Sequence, residues 1–474
     1  MEPLAQETNI EPAPLPEATG PGLSRSLRSR HVSMIAVGGI IGAGLFVGSG
    51  ASIAMVGPAV ILSYAIAGLV ILAVMRMLSE MASLHPGAGS FTELVRLGLG
   101  ERAGFVCGWL YWYFWVIVVA IEALAGAVIL SGWIAAPVWM IGVVLLALMT
   151  SVNLLSTRSY GEFEFWFSLI KVVAILAFIV VAGAWAFGVT SPSGPTFAVM
   201  TAHGGFAPNG WGAVLPGVTS VIFALCGAEI ATIAAAESAE PARAIARITA
   251  SVALRILLFY LVSITLIVSV LPWTSVVPGK SPFAATLDYM RIPHAGLMMN
   301  LVVLVAVLSC LNSGMYVTSR VLFVLSDKGD APKALVALSR HRVPVRSTLI
   351  GSLFAYVALA ASVLSPQLVF GFLVNASGAL MLFIYLLVCF AQIRMRGEFE
   401  GTAPEKLVVR MWFHPYATYA SAIAIVAVLA AMLFKPGARG ELLSSLALLG
   451  VVLAMSFLRP KRPGPSVARL ASSS

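Results

Sequence analysis

Long unbroken apolar runs, separated by short polar or Gly/Pro-rich joints, fill the chain from about residue 32 to about residue 458. The runs fall near 32–57, 59–84, 104–131, 135–155, 162–188, 211–238, 246–272, 295–325, 346–365, 367–392, 412–434 and 441–458. Each is about 18 residues or longer, enough at 1.5 Å per residue to carry a helix across most of a bilayer's hydrocarbon. A membrane-spanning strand needs only about ten residues and alternates in polarity, so continuous runs favour helices over a barrel. The pattern predicts an all-α polytopic membrane protein with twelve transmembrane helices. Gly57-Pro58 and Pro366 each divide two helices, because proline disfavours the helical conformation of the residue before it.

The segments outside the runs are short. Residues 1–31 are polar and proline-rich, with Glu2, Glu7, Glu11 and Glu17 ahead of Arg25, Arg28 and Arg30, and read as a disordered tail. No short apolar stretch with a small-residue cleavage site precedes the first run, so an uncleaved first helix is expected. Residues 459–474 read as a second polar tail, leaving 32–458 as one twelve-helix domain. The stretch Gly89 to Arg102 is amphipathic and predicts a short interfacial helix between the second and third spans.

Composition removes the soluble alternative. Of 474 residues, 59% are apolar and 10% charged, against roughly 25% charged in an average soluble protein. The net charge of +9 invites a nucleic-acid reading, but its distribution argues for topology. With the N-terminus in the cytoplasm, 24 of the 29 Lys and Arg residues fall on or near the inner side; Lys280, Arg291, Lys435 and Arg439 lie outside and Lys171 lies within a helix. That asymmetry places both termini in the cytoplasm. Cys107, Cys226, Cys310 and Cys389 lie within apolar runs without CxxC spacing and read as packing residues. The six histidines are scattered near helix ends without HExxH or clustering, so no metal or other cofactor is expected. Gly42-x-Gly44 follows no strand, and Gly279-Lys280-Ser281 lacks the earlier glycine of a P-loop because Thr274 stands there, so no nucleotide site is visible.

The densest signal is GGIIGAGLFVGSG, Gly38 to Gly50, with six glycines in thirteen residues. Glycine costs about 1 kcal/mol relative to alanine inside a helix, so the segment predicts an interruption near mid-membrane whose free N–H groups can hold a carboxylate. Close packing through Gly38/Gly42 and Gly44/Gly48 is the competing reading. The sixth run, VIFALCGAEIATIAAAES, carries Cys226-Gly227 near its centre, followed by Glu229 and Glu237. Helix six follows helix one by five. Paired interruptions at corresponding places in two inverted five-helix units mark a substrate site, with unwound carbonyls in helix six free to receive an ammonium.

Ionisable residues inside the spans are the remaining candidates. Lys171 lies about ten residues from the cytoplasmic end of helix five, roughly 15 Å deep, too far for easy snorkelling. It is a candidate proton carrier, the alternative being a permanently paired structural cation. Glu122 in helix three and Glu229 in helix six are candidates for charge balance, amine recognition or proton relay, with a structural hydrogen bond to a neighbouring helix the competing reading for Glu122 and a gating or bracing role beside the break the favoured one for Glu229. Ser309, Asn312 and Ser313 give helix eight a polar face, able to ligate a cation near helix one or to bond across helices. The aromatic cluster WLYWYFW, Trp109 to Trp115, reads as packing, with one ring available to line the site.

The stretches SRHVSMIAVGGIIGAGLFVGSG, GEFEFWFSLIKVVAILAF, GAEIATIAAAES, SCLNSGMYVTSRVLFVLSDKGDAP and RMWFHPY together resemble the amino-acid permeases of the amino acid–polyamine–organocation superfamily. The likeness runs from about Ser29 to Arg459. Through GWLYWYFWV, GAEIATIAAAES and IPHAGLMMN it is most similar to the bacterial 4-aminobutyrate permeases. The resemblance implies a leucine-transporter-like fold, with a 5+5 inverted repeat (about 32–188 and 211–392) and two extra helices (about 412–458). It implies that Ile41, Gly42, Ala43 and Gly44 bind the substrate carboxylate, and that backbone groups of Phe223, Ala224, Leu225 and Cys226, with Gly227, face the ammonium. Lys171 matches a family lysine standing where sodium-coupled relatives hold their ion. Ala43 replaces a family threonine or serine and removes one hydroxyl near the carboxylate.

The expected function is proton-coupled import of a small zwitterionic amino acid across a bacterial inner membrane, with 4-aminobutyrate as leading substrate. The alternatives are another amino acid (alanine, proline, asparagine or an aromatic one), an exchanger, or a transporter-like sensor. The partners implied are the amino acid, protons and the lipid bilayer, with no nucleic acid and a single chain as the working unit. No nucleophile with its base stands among the helices, so an enzyme is not expected.

Overall fold

The computed structural model describes residues 41–85, 88, 90–155, 157–227, 229, 252–339 and 343–458. The two polar tails, Gly38, Gly39 and Glu237 lie outside them. Among the described residues there is no strand, and eight helical segments are long and apolar enough to cross a membrane: Gly44–Leu84, Glu101–Ser131, Glu164–Ala186, Val252–Val270, Ala295–Asp327, Pro366–Thr402, Tyr416–Phe434 and Pro436–Leu458. Three shorter apolar helices, Val138–Leu154, Trp211–Leu225 and Val345–Ala361, join them.

The chain enters through a π-helical turn, Gly44–Gly48, that runs into α1 (Ser49–Val56). Gly57, at φ 76°, and the 3-10 turn Gly57–Ala59 with Pro58 part α1 from α2 (Val60–Leu84). The last carbonyls of α1 have no partner within the helix, and Asn209 Nδ2 donates to those of Ala54 and Met55 at 3.3 and 3.0 Å. Further along, α11 (Val345–Ala361) ends before α12 (Pro366–Thr402), whose proline is the first helical residue and whose N-cap Ser365 accepts from the Leu368 N–H. Proline suits that position because its missing N–H would be unpaired anyway.

The amphipathic stretch folds as α3 (Phe91–Leu99), shorter than its polarity pattern suggests. Ser90 caps it by accepting from Glu93 N–H, a serine and glutamate at capping-box spacing. Gly100, at φ 94°, turns the chain into α4 (Glu101–Ser131). Arg96 holds α3 in place by hydrogen-bonding the carboxylates of Glu101 and Asp330, with Glu93 3.4 Å away. Burial opposes the Arg96 cation, but Asp330, then Glu101 and Glu93, outweigh it and raise its proton affinity above the ordinary guanidinium value.

α4 is apolar around its whole circumference, and its residues from Phe105 to Ala127 are almost all buried. A helix of that kind belongs at the centre of a bundle, and α4 packs against α10 (Ala295–Asp327) more extensively than any other pair of elements. It also meets α12, α5 (Val138–Leu155) and α11. α6 (Thr157–Ala186) is two-faced. Glu164, Ser168, Lys171, Ile175, Phe178 and Ala182 form one buried stripe, while Trp166, Ile170, Val173, Leu176 and Val180 are exposed. Exposed apolar side chains opposite a buried polar stripe place α6 at the rim of a bundle facing hydrocarbon.

Further contacts set the frame around α7 (Val214–Leu225) and α6. α7 packs on α2 and on α12. Ser220 Oγ donates to Asn375 Oδ1 on α12 at 2.5 Å, and Asn375 Nδ2 to Glu441 Oε1 at 3.0 Å. Ser263–Val270 (α8), which continues a π-helical stretch Ile256–Val262, and Pro282–Tyr289 (α9) pack against α6. Glu80 on α2 is fully buried and ties α2 to α12 and the loop beyond. It accepts from Gln392 Nε2 at 2.8 Å, from Arg396 Nη1 at 2.7 Å and from Met411 N–H. α13 (Tyr416–Phe434) and α14 (Pro436–Leu458) lie against α12 with many exposed apolar side chains.

Candidate functional site

Two helix ends face each other inside the bundle. Ile41 and Gly42 are not helical, and regular helix begins beyond them at the π turn of Gly44. Opposite, α7 stops at Leu225. Cys226 is extended (φ −65°, ψ 159°) and Gly227 takes φ 103°, a conformation that costs only glycine nothing. The free carbonyl of Ala224 accepts from Tyr260 Oη at 2.8 Å. Glu229, just past the break, accepts from Gly227 N–H at 2.8 Å and from Tyr111 Oη at 3.3 Å. Cys226 Sγ lies 3.6 Å from Tyr385 Oη.

The absence of side chains lets the breaks meet. A Cβ at Gly44 would stand 2.7 Å from Ala224 Cα, and one at Gly42 would stand 2.5 Å from Glu122 Oε1 and 2.6 Å from Cys310 Cβ. The space left between the breaks is about 20 Å³, bordered by Gly44, Phe114, Trp115, Phe223, Glu122 and Cys310 among others. That is room for little more than one water molecule. Phe223, Ala224, Leu225 and Cys226 are all buried there, as are Ile41 and Ala43.

Glu122 reaches the first break directly. Ala43 N–H donates to both of its carboxylate oxygens, 3.0 Å from each. A carboxylate therefore already occupies one of the helix-one amides that the sequence offers to a substrate. The glutamate is buried on α4, where its desolvated charge is offset by this amide.

Lys171 is also fully buried and belongs to a chain of three. Its Nζ donates to Ser309 Oγ on α10 at 2.9 Å, and Ser309 Oγ donates to Glu164 Oε1 at 2.6 Å. Lys171 Nζ and Glu164 Oε1 are 3.7 Å apart, both with no exposed side-chain surface. Ser313, one turn on from Ser309, hydrogen-bonds the same carboxylate. Asn312 points elsewhere, accepting from Asn153 Nδ2 on α5 at 2.7 Å.

Glu164 is the residue that sequence reasoning missed. It sits at the start of the fifth apolar run, where a charge reads as interfacial. Its spacing held the signal: seven residues before Lys171 is two helical turns, which puts both on one face of α6.

Comparisons with known proteins agree with this architecture. The amino acid permease family model matches residues 31–456. The gamma-aminobutyric acid permease of Bacillus subtilis is 46% identical over 443 residues, covering 93% of this chain and 94% of that protein. That of Escherichia coli is 42% identical over 443 residues, covering 92% and 94%. An aromatic amino acid transport protein of Corynebacterium glutamicum is 36% identical over 450 residues, covering 93% and 96%. Among solved structures, a manganese transporter mutant (H236A) of Eremococcus coleocola has a TM-score of 0.54 at 12% identity, covering 90% of this chain and 94% of that one, which relates the two folds.

Proposed function

This chain belongs to the amino acid permease family, and we propose that it imports 4-aminobutyrate across the bacterial inner membrane, coupled to protons. Amino-acid transport follows from the family, and 4-aminobutyrate from the permeases 42–46% identical over nearly the full chain. The observation carrying the mechanism is the meeting of two helix ends at Gly44 and Ala224, with Glu122 and Lys171 buried nearby.

In this reading the helix-one amides at Gly42, Ala43 and Gly44 take the substrate carboxylate, and carbonyls of Phe223 to Cys226 take its ammonium. Glu122 must first give up the Ala43 amide, and a proton on Glu122 removes the charge that would repel an arriving carboxylate. Lys171, exchanging its proton with Glu164 through Ser309, resets the opening between helix one, α6 and α10. Glu229 braces the second break.

Twelve helices as two inverted five-helix units plus two, cytoplasmic termini and a single-chain working unit complete the proposal. They are supported by the apolar runs, the placement of basic residues and the two breaks five helices apart. The test is uptake of labelled 4-aminobutyrate into proteoliposomes under an imposed pH gradient, challenged by single unlabelled amino acids. Accumulation should follow the pH gradient, 4-aminobutyrate should compete best, and Lys171→Ala should lose accumulation while keeping exchange. Uptake driven by sodium alone, or undiminished proton-driven uptake by Lys171→Ala, would overturn the coupling. Stronger competition by an aromatic amino acid would overturn the substrate.

A further inference from the structure

A second concavity lies away from the transport site, between the first turns of α4, the inner half of α12 and the last turns of α14. It encloses about 410 Å³, within the range of about 300–1,000 Å³ typical of small-molecule sites. Its walls are apolar side chains, among them Val106, Phe383, Leu387, Leu453 and Phe457, and its one charged lining residue is Arg102. Arg102 is exposed, and its guanidinium lies 4.6 Å from the centre of the Phe457 ring at the groove's mouth. The neighbouring Glu101 is engaged by Arg96, and no described carboxylate forms an ion pair with Arg102. Immediately past Leu458, where α14 ends, the sequence continues Arg459, Pro460, Lys461, Arg462.

An apolar slot ending in an arginine, beside a helix whose sequence runs on into three more cations, matches one kind of molecule. We propose that this groove binds one acyl chain of an anionic phospholipid, with its phosphate held by Arg102. A guanidinium pairs with phosphate through parallel N–H···O bonds, and basic residues flanking a span attract anionic headgroups. The orientation proposed above puts this lipid in the cytoplasmic leaflet; the choice of an anionic headgroup rests on Arg102 and does not depend on transport. A zwitterionic lipid gains less from Arg102, and a second copy of this chain would leave that guanidinium unanswered.

Native mass spectrometry of the full chain in detergent, with phosphatidylglycerol or phosphatidylcholine of identical acyl chains, tests this. Phosphatidylglycerol should be retained in preference to phosphatidylcholine. Arg102→Gln should weaken that retention about fivefold, and Ala103→Trp should abolish it by filling the groove. Should Ala103→Trp fail to fold, Ser456→Trp fills the groove from the opposite wall. Equal retention of both lipids, or unchanged retention by Arg102→Gln, would overturn the proposal. A wild-type dimer that the tryptophan variants dissociate would assign the groove to a second copy instead.

Discussion

The Ala43 N–H donates to both carboxylate oxygens of Glu122, 3.0 Å from each, across 79 residues of sequence. The glutamate thus stands where a substrate carboxylate is expected, and the two anions compete for one amide. Glu122→Gln removes the competing charge while keeping an acceptor. The variant should bind 4-aminobutyrate at least as tightly as the wild type, because the anion that competes for the Ala43 amide is gone. Radioligand binding to the two purified proteins checks this; clearly weaker binding by the variant would show that the Glu122 charge does not compete with substrate.

Lys171 and Glu164 neutralise one another through Ser309 in a fully buried setting. Removing one partner of a buried pair strands the other charge at a cost of about 3–5 kcal/mol. Lys171→Met and Glu164→Leu should each lower the melting temperature sharply, and the double variant should recover most of the loss. Thermal melts of the four proteins in one detergent measure it. Additive losses in the double variant would show that the two charges do not depend on each other.

Gly44 leaves no room for a methyl group, since its Cβ would stand 2.7 Å from Ala224 Cα. Overpacking of this kind costs about 1–3 kcal/mol, here at the crossing proposed above to hold the substrate. Gly44→Ala should lose most uptake. Gly48→Ala, whose Cβ would meet only the Ala43 carbonyl at an ordinary 3.5 Å, should transport nearly normally. Initial uptake rates of the two variants at matched expression decide between a local crossing and a general intolerance of alanine in this helix.

His414, in the loop joining α12 to α13, is half-buried beside Gln392 and Arg396. Burial, and then the Arg396 guanidinium, push its proton affinity below the ordinary imidazole value, against a weaker opposing pull from Glu80 and Glu400. The folded protein therefore favours neutral His414. Its contribution to stability is complete above the unfolded pKa, about 6.5, and is lost as pH falls through and below it. Between pH 7.5 and pH 5 the wild type should lose more melting temperature than His414→Gln; equal losses would show that His414 does not contribute to the acid response.

Legibility in the sequence followed the range of the interaction. Gly42 and Cys226-Gly227 were legible as places where regular helix gives way, because glycine content is a local property. Lys171 was visible as a charge deep in hydrocarbon. Glu164 was passed over, since a carboxylate at the end of an apolar run looks interfacial until the helix is known to extend past it. Glu122 was visible as an intramembrane acid, but the Ala43 amide as its partner was not.

By itself the sequence determined an apolar helical membrane protein, the glycine-marked places where regular helix starts and stops at Gly42 and Cys226-Gly227, and which few ionisable residues lie within the spans. Those follow from hydropathy, glycine and proline, which act within one segment. Only the tertiary structure decided that Glu122 lies on the first break, that Ser309 bridges Lys171 to Glu164, and that Asn312 turns to Asn153. Each of these depends on which faces of separate helices pack together. That choice is made by the summed packing of the bundle, including the glycines that let backbones approach, and no single segment encodes it.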